Sequence, residues 1–470
     1  MSGPGRVLFY VQHLLGIGHQ RRGATLTRAM QDAGLEVTYI SGGHGIPNLD
    51  LGGAELVQLP PVRAVDLYFK QLVDENDQPI DDAWRERRRT GLLAAWERVQ
   101  PHVILLELYP FGRRQMRFEL LPLLDAAVAS ARRPVIASSV RDILVASPKP
   151  ERLVEMLQRV ETYFDHVLVH GDPDLIPFET TFPHAAEIAG KLHYTGYVVD
   201  RTGQRGGPGS PGWDEVLVSA GGGAMGDTLM RAAIQARAQS ALKNKRWRVL
   251  VGVKVPDDEY QALVQLATVC GETGGIVVER ARGDFPSMLM NCALSISQGG
   301  YNTLMECMHA GCRSIIVPYA GGLETEQTLR AELLQQRGVI TVLAETELSP
   351  PAMVEAIERS LAGPGAAMAG GRTDGAADGA GIGIIGQTFI GLALGFRQQV
   401  GAGLFHRFGI GGAQITADQI GHAAFDGGII FGRGQIPRFL GGQFGQIDDR
   451  LDHRLHFLVG EHDGAQHDLF

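Results

Sequence analysis

The stretch Ser295–Gly311, SISQGGYNTLMECMHAG, decides the fold of the second half of the chain. An apolar run that has the composition of a buried strand ends in Gln298-Gly299-Gly300, directly before a helical segment. Such a turn presents unpaired backbone N–H groups and the positive end of a helix dipole, to which phosphate oxygens bind well. Glu306, within the second turn of the helix, is placed to accept hydrogen bonds from vicinal hydroxyl groups such as those of a ribose. A plain βα turn with a solvent-facing glutamate has the same spacing.

Strand and helix patterns alternate on both sides of this turn, from residue 213 to residue 365. Alternation of this kind predicts a mostly parallel sheet covered by helices. Predicted strands are Val216–Ser219, Val249–Val253, Ile276–Glu279, Leu294–Ser297, Ile315–Val317 and Val339–Val342, with helices at about 225–243, 258–270, 301–310, 325–337 and 350–361.

The first 200 residues repeat the pattern and predict a separate α/β domain. Its strands are expected at Val7–Val11, Glu36–Ile40, Val103–Leu108, Val135–Ser138, His166–Val169 and His193–Tyr197, with helices such as Ala24–Ala33 and Arg152–Val160. Residues 201–212, rich in Gly, Pro and Ser, are interpreted as a linker. Two doubly wound domains joined in this way face a cleft at the carboxyl ends of their strands, where ligands of such sheets bind.

The composition changes from about residue 370. The last hundred residues hold 23 of the 62 glycines and no Lys, Cys, Met, Trp or Tyr. We interpret residues 370–470 as an atypical Gly-rich tail that packs poorly. It is either a genuine extension or the out-of-frame translation of a GC-rich gene.

Composition bounds the possible functions. A net charge of −9 and a pI near 5.9 offer no basic field for nucleic acid. The cysteines (Cys270, Cys292, Cys307 and Cys312) lie in or beside apolar runs without zinc-site spacing, as expected of reduced residues in a cytoplasmic protein. No run approaches the 18 or so apolar residues of a membrane span, although work at the inner face of a membrane stays open.

Two further glycine-containing loops are expected on the rim of the second domain. Val218–Ala224 follows the first strand of that domain, and its three glycines (Gly221, Gly222 and Gly223) allow a close approach of phosphate to the backbone. A Gly-Gly loop at Gly321-Gly322 precedes a helix that opens with Glu324, Glu326 and Gln327. These side chains suit helix capping, and they would equally suit a ring of sugar hydroxyls.

In the first domain, the loop HLLGIGHQRRG follows the opening strand. Gly16 and Gly18 permit a tight loop, and His19 stands where a helix begins. A neutral imidazole near pH 7 is suited to accept a proton from a hydroxyl, whereas a lone loop histidine is commonly a polar surface residue. His13 is a weaker candidate.

Two strand ends of the first domain are expected to face the same cleft. ELYPFGRR carries Glu107, Arg113 and Arg114, and SSVRDIL carries Arg141 and Asp142. These residues could bind an anionic acceptor, since arginine recognises phosphate and carboxylate well. Salt-bridged helix starts explain the pattern equally well.

Residues 284–339, above all Ser297–Glu306 followed by Pro318 and Glu326-Gln327, resemble the C-terminal domain of family 28 glycosyltransferases. The bacterial peptidoglycan-precursor GlcNAc transferase is the best-known member, and a branch of predicted bacterial glycosyltransferases shares a "QHLLGIGH"-type loop. The resemblance implies a GT-B fold that binds a UDP-sugar mainly through the C-terminal domain. It implies that Gly299 and Gly300 meet the diphosphate, Glu306 the ribose, and Glu326 and Gln327 the sugar. The wider donor set is Gly16, Gly18, Ser219, Gly221, Gly222, Gly223, Ser297 and Asn302.

The resulting hypothesis is a glycosyltransferase that moves a hexose or N-acetylhexosamine from a UDP-sugar to an acceptor hydroxyl, with His19 as the base. Inversion at the anomeric carbon is carried over from the family, and no metal or other cofactor is implied. The acceptor is unknown, and a lipid-linked and an anionic acceptor both stay open. Two alternatives stay open: a UDP-sugar 2-epimerase of the same fold, and a catalytically silent nucleotide-sugar-binding subunit.

The tail generates the first testable prediction. Glycine inside a helix costs about 1 kcal/mol relative to alanine, so a long packed helix beyond residue 370 is not expected. Deleting Gly371–Phe470 should leave the melting temperature nearly unchanged and improve solubility, because exposed Phe and Ile side chains are removed. A large fall in melting temperature, or strong hydrogen-exchange protection across Ile382–Phe431, would contradict the interpretation.

Overall fold

A computed structural model describes residues 4–14, 16–47, 49–66, 71–144, 150–221, 226–271, 274–319 and 326–363. The predicted tail lies outside the described residues. The first sheet has seven parallel strands in the order β3-β2-β1-β6-β7-β8-β9. They are β1 (Arg6–Val11), β2 (Glu36–Ser41), β3 (Glu55–Gln58), β6 (Val103–Glu107), β7 (Val135–Arg141), β8 (His166–His170) and β9 (Leu192–Tyr194), with an antiparallel pair β4 (Arg63–Ala64) and β5 (Leu72–Val73) beside them.

The second sheet has six parallel strands in the order β12-β11-β10-β13-β14-β15. Within each sheet the order runs outward from the first strand in both directions, which is the doubly wound arrangement. The strands are β10 (Val216–Ser219), β11 (Trp247–Val251), β12 (Ile276–Arg280), β13 (Leu294–Gln298), β14 (Ser314–Val317) and β15 (Thr341–Val342).

Ten α-helices lie in the described part of the chain and cover the two sheets. They are α1 (Gly18–Asp32), α2 (Asp82–Val99), α3 (Arg117–Ala129), α4 (Pro150–Tyr163), α5 (Asp227–Ala236), α6 (Asp257–Cys270), α7 (Phe285–Asn291), α8 (Tyr301–Ala310), α9 (Glu326–Gln336) and α10 (Pro350–Ala362). No described helix has both the length and the apolar character that crossing a membrane requires.

Local sequence explains several helix boundaries. The Asp81 side chain accepts a hydrogen bond from the Trp84 N–H and so caps α2, and Ser349 caps α10 by accepting from the Ala352 N–H. Gly311 ends α8 in the left-handed conformation, with φ of 65°, which glycine adopts without steric cost.

The predicted strands are largely confirmed, and the helices differ more. Helix α1 begins at Gly18 rather than near Ala24, so His19 lies in its first turn. The helix expected at about 225–243 ends at Ala236, and a short 3₁₀ turn over Arg237–Gln239 follows it. The long helix α2 was not predicted, because its polar and apolar residues show no clear helical period.

One buried apolar cluster contains residues from both halves of the chain. Ile143, Leu175 and Ile176 of the first half pack with Leu304 and Met305 of α8 and with further apolar residues of the second half. A large apolar interface holds two domains in a fixed relation, whereas small polar interfaces permit domain motion.

A buried ion pair lies beside this cluster. Arg330 of α9 donates from Nη2 to Asp142 Oδ1 at 2.7 Å and from Nε to Asp142 Oδ2 at 3.2 Å, and both side chains are fully buried. Asp142 directly follows β7. The pair therefore joins the first half of the chain to the second.

The segment between the halves is anchored by Asn291, at the end of α7. The Asn291 side chain accepts from the Gly206 N–H and donates to the Gln204 and Pro211 carbonyl oxygens. Residues 201–212, interpreted from sequence as a linker, are thus hydrogen-bonded to the second half.

This interface generates a stability prediction. Removing one partner of a buried ion pair costs about 3–5 kcal/mol, because the other charge stays buried without a partner. Asp142→Ala should therefore lower the melting temperature by several degrees in calorimetry, and should separate the unfolding of the two halves. Arg98→Ala, in a half-exposed pair with Glu55, is the matched control and should change stability by less than about 1 kcal/mol. Equal melting temperatures for the two variants would contradict the prediction.

Candidate active site

The site lies where the strand order reverses in each sheet. In the first sheet this point lies between β1 and β6, and in the second between β10 and β13. Ligands of doubly wound sheets bind at these points, beyond the carboxyl ends of the strands. The loop after β1 leads to His19, and Gly299-Gly300 follows β13.

His19 is bonded to a buried carboxylate. Its Nδ1 lies 2.9 Å from Glu107 Oε1, at the end of β6, and the side chain of His19 is 16% exposed. Arg22, one turn along α1, donates from Nη2 to the same oxygen of Glu107. Because an ionised carboxylate only accepts, Nδ1 carries the proton, and Nε2 is left with a lone pair.

Burial and nearby cations keep the imidazole neutral. Burial, together with the nearby Arg113 cation, lowers the pKa of His19 to about 3. Burial alone would raise the pKa of Glu107, but Arg22 and the bonds from His19 and Ser139 hold it well below its usual range. A neutral histidine with one fixed N–H is the arrangement that a general base requires.

Two of the acceptor residues suggested by the sequence are wrong. Glu107 is fully buried, because β6 delivers it beneath His19 rather than into the cleft. Asp142 is fully buried by its ion pair with Arg330. Neither carboxylate has exposed surface with which to contact an acceptor.

The three arginines predicted with them lie in different places. Arg113 donates from Nε to the Gln12 carbonyl oxygen at 2.8 Å and, like Arg141, faces His19 closely enough to lower its pKa. Arg114 is turned away and pairs with Glu155 at 2.8 Å. It lines a cavity of about 630 Å³ on the first half, whose walls include Arg85, Arg117, Arg152, Leu72, Ile80 and Phe118.

The Gly-Gly turn has the geometry that the sequence indicated. Gly300 is the residue before α8, and no side chain caps the first turn of that helix within the described structure. A β-carbon on Gly300 would meet no atom within 4 Å, so this side of the turn is open. A β-carbon on Gly299 would lie 3.1 Å from the Pro318 Cα atom and 3.3 Å from Gln327 Oε1, so the backbone at Gly299 packs closely against both residues.

The serines beneath the turn do not reach the cleft. Ser297 is fully buried, and its hydroxyl bonds to Ser295 at 2.9 Å, so its prediction as a donor contact is wrong. Ser219 Oγ accepts from the Gly221 N–H at 3.2 Å and shapes the neighbouring loop. Gly222 and Gly223 lie outside the described residues. Gly221 has a φ of +78°, with open space beside it.

Glu306 points from α8 toward the first half of the chain. Burial raises the pKa of its carboxyl group to about 7, while Arg21 of α1 opposes the rise and Asp200 adds to it. Asn302, one turn earlier, approaches the same helix, with its Nδ2 3.5 Å from the Gly18 carbonyl oxygen. Gly16 is exposed in the loop before α1. Glu306, Asn302 and Gly18 therefore lie together between α1 and α8.

Glu326 connects the two halves. Its Oε1 lies 2.6 Å from Arg141 Nη1 and 2.9 Å from Arg330 Nη2, and Glu326 is 4% exposed. The pKa of Glu326 is lowered because these two cations outweigh its burial. Gln327 accepts from the Tyr319 N–H at 3.2 Å and remains partly exposed. The donor-sugar role predicted for both residues stays a prediction.

Several residues that shape the site were missed from sequence. Arg22 holds Glu107, and the Tyr301 ring lies between Arg22 and Arg330, at 5.5 and 5.1 Å from their guanidinium carbons. A pairing between residues so far apart in sequence has no local signal. Gly226 did have a local sequence signal, because a glycine directly before a helix commonly marks the helix boundary. Its φ is +107°, and an added β-carbon would clash with Ala220.

No group of three or more His, Cys, Asp or Glu side chains that could hold a metal ion occurs among residues with a described position.

The environment of Glu306 generates a pH prediction. A carboxyl whose pKa rises from 4.5 to about 7 on folding makes the folded protein lose stability as pH rises through this range. The loss amounts to roughly 3 kcal/mol at pH 8. Glu306→Gln should therefore raise the melting temperature at pH 8 and have little effect at pH 4.5. Glu332→Gln, on the exposed face of α9, is the control. An unchanged melting temperature at pH 8 would show that Glu306 is not desolvated.

Residues 216–378 match the glycosyltransferase family 28 C-terminal domain. A relative from Paraburkholderia xenovorans, UDP-N-acetylglucosamine–N-acetylmuramyl-(pentapeptide) pyrophosphoryl-undecaprenol N-acetylglucosamine transferase, is 24% identical over 69% of this chain and 75% of its own length. A protein of the same name from Agrobacterium fabrum is 27% identical over 30% of this chain, and the alignment spans only 37% of that protein.

Solved structures show the same architecture. The calicheamicin glycosyltransferase CalG4 superposes with a TM-score of 0.56 at 16% identity, over 84% of this chain and 99% of its own. MurG of Acinetobacter baumannii superposes with a TM-score of 0.52 at 15% identity, over 81% of this chain and 98% of its own. Residues 216–378 therefore carry a glycosyltransferase family 28 C-terminal domain, and the chain has the two-domain GT-B fold of these solved glycosyltransferases.

Proposed function

We propose that the protein transfers a hexose or N-acetylhexosamine from a UDP-sugar to an acceptor hydroxyl, with His19 as the general base. The observation that carries the proposal is the His19–Glu107 pair, placed at the switch point of the first sheet. The names of the relatives, which use UDP-N-acetylglucosamine, support the choice of donor.

The donor would bind on the second half. The uncapped N-terminus of α8 offers N–H groups and a positive dipole to the diphosphate, and open space beside Gly300 admits it. Glu306 would accept from the ribose hydroxyls, a charge-assisted bond of about 1.5–3 kcal/mol. Gln327 would contact the sugar, since it keeps exposed surface while Glu326 is held between two arginines.

The chemical step is a direct displacement. The acceptor hydroxyl gives its proton to His19 Nε2, its oxygen forms a bond to the anomeric carbon, and the bond from that carbon to the diphosphate oxygen breaks. The electron pair leaves with UDP, and the helix dipole and backbone N–H groups stabilise the new charge. One displacement inverts the anomeric centre. As the imidazole becomes an imidazolium, Glu107 stabilises it.

The acceptor is proposed to be anionic. Arg113 and Arg141 face His19, and arginine fits phosphate and carboxylate groups. A lipid-linked acceptor would place the protein peripherally at the cytoplasmic face of a membrane.

The base is tested by His19→Gln. Turnover of a UDP-sugar should fall by about 10²–10⁴, while UDP affinity in calorimetry stays within about two-fold, because the donor binds the other half. His184→Gln is the matched control, since His184 pairs with Glu187 on the exposed surface. Turnover within a few-fold of the native value would place the base elsewhere.

The substrates are tested by thermal shift with a panel of UDP-sugars, followed by incubation with a bacterial lipid extract. A ligand that binds only the folded state raises the melting temperature. A glycosylated lipid supports the proposal. Conversion of the UDP-sugar without transfer would favour the epimerase, and binding without any turnover would favour a silent subunit.

A further inference from the structure

A chain of four hydrogen bonds runs from His19 into the interior of the first sheet. Glu107 Oε1 bonds to His19 Nδ1 at 2.9 Å, and Glu107 Oε2 accepts from Ser139 Oγ at 2.8 Å. Ser139 Oγ lies 2.8 Å from His170 Nε2, and His170 Nδ1 lies 2.8 Å from Thr195 Oγ1. Four of the five residues are at least nine-tenths buried: Glu107, Ser139, His170 and Thr195.

Strand register produces this chain. Glu107, Ser139 and His170 lie on the adjacent strands β6, β7 and β8, and Thr195 directly follows β9. Glu107 is opposite Ser139, and His170 is opposite Arg141, two residues beyond Ser139 on the same face of the sheet. Each strand end therefore contributes one side chain to a single row.

The proton positions in this row follow from one constraint. Glu107, whose pKa is held low, can only accept, so the Ser139 hydroxyl donates to it. Ser139 Oγ then accepts from His170, which fixes the proton of His170 on Nε2 and leaves Nδ1 to accept from the Thr195 hydroxyl. Every hydrogen bond points toward Glu107, and bonds aligned in this way strengthen one another.

His170 does not serve as a second base. It is 1% exposed and lies behind Glu107, out of reach of the cleft. Burial, followed by the Arg22 cation, lowers the pKa of His170 to about 3, which keeps its ring neutral. The position of His170 therefore allows it to hold Ser139 by a hydrogen bond but excludes contact with a substrate.

We propose that Ser139 and His170 are positioning residues that orient the Glu107 carboxylate, and through it hold His19 with its proton on Nδ1 and its lone pair on Nε2. The inference rests on the proposed role of His19 as the base. The row of hydrogen bonds thus extends the His19–Glu107 pair across the ends of the four neighbouring strands β6, β7, β8 and β9.

Ser138 provides a matched control within the same strand. It is fully buried like Ser139, but its side chain points to the opposite face of the sheet, and its hydroxyl has no hydrogen-bond partner in the described structure. Ser138→Ala and Ser139→Ala remove the same atom from the same strand. Only the second removes a bond to Glu107.

The decisive measurement is the tautomer of His19, read by nitrogen-15 NMR of the full chain labelled at histidine, with His19→Gln used to assign the signal. Charged groups from several elements face His19, namely Arg22, Glu107, Arg113, Arg141 and Glu326, and all of them are kept in the serine variants. A change in the His19 signal therefore reports the lost serine bond.

Ser139→Ala should reduce the fraction of His19 carrying its proton on Nδ1, because Glu107 loses the hydrogen bond that orients its carboxylate toward the imidazole. Release of UDP from UDP-N-acetylglucosamine should slow by roughly 10- to 100-fold, as for other outer partners of a functional side chain. Ser139→Thr should restore both values. His170→Gln keeps a donor and an acceptor. It should therefore lower the Nδ1–H fraction of His19 and the rate of UDP release less than His170→Leu does.

The outcomes separate this inference from the proposed function. If Ser139→Ala leaves the tautomer of His19 as it is in Ser138→Ala, the positioning role is overturned, whatever the activity. If the NMR signal changes as expected but the native protein neither binds UDP nor releases it, the row is confirmed and the donor assignment fails. Should His170→Leu not fold, Ser139→Ala and Ser139→Thr still decide the question.

Discussion

The buried ion pair between Asp142 and Arg330 is the contact on which the cleft depends. Removing two charges from water is costly, and their attraction offsets the cost only where the geometry is good and further hydrogen bonds satisfy both groups. Here Arg330 binds both oxygens of Asp142 and also Glu326, and Glu326 in turn binds Arg141. Such a network has few alternative arrangements, so it fixes the relation between the two sheets more than it stabilises either one.

The same contact explains how the donor turn is placed relative to His19. Tyr301 begins α8 directly after the Gly-Gly turn, and its ring lies between Arg330 and Arg22. The hydroxyl of Tyr301 donates to the carbonyl oxygen of His170 at 3.2 Å. One side chain of the second half therefore contacts Arg330 of the ion pair, Arg22, which holds Glu107, and His170 of β8, which bonds to Ser139. Tyr301 therefore contacts both the elements that place the turn proposed to bind diphosphate and the row of hydrogen bonds proposed to orient His19.

The sequence predicted the parts of this arrangement that are local. Apolar runs predicted the strands of both sheets, and glycines before helix starts predicted the Gly299-Gly300 turn and the position of His19. Each of these features depends on residues that are close in the chain. The sequence failed where long-range pairing decides the outcome. Glu107 and Asp142 have the same local pattern as acceptor-binding residues, and only the packing of Arg22 and Arg330 against them shows that they are buried. Ser139 and His170 had no sequence signal, since strand register alone aligns them.

The charges around His19 also explain how a histidine of low pKa can act as a base. In the structure, burial and the cations of Arg113 and Arg141 disfavour protonation. A bound UDP-sugar would bring two negative charges of its diphosphate into the cleft, and their field would oppose that of the arginines. We therefore expect His19 to become a stronger base when the donor is present. An acceptor hydroxyl that arrived alone would meet a weak base, so deprotonation would be confined to the complex in which the anomeric carbon is ready to react.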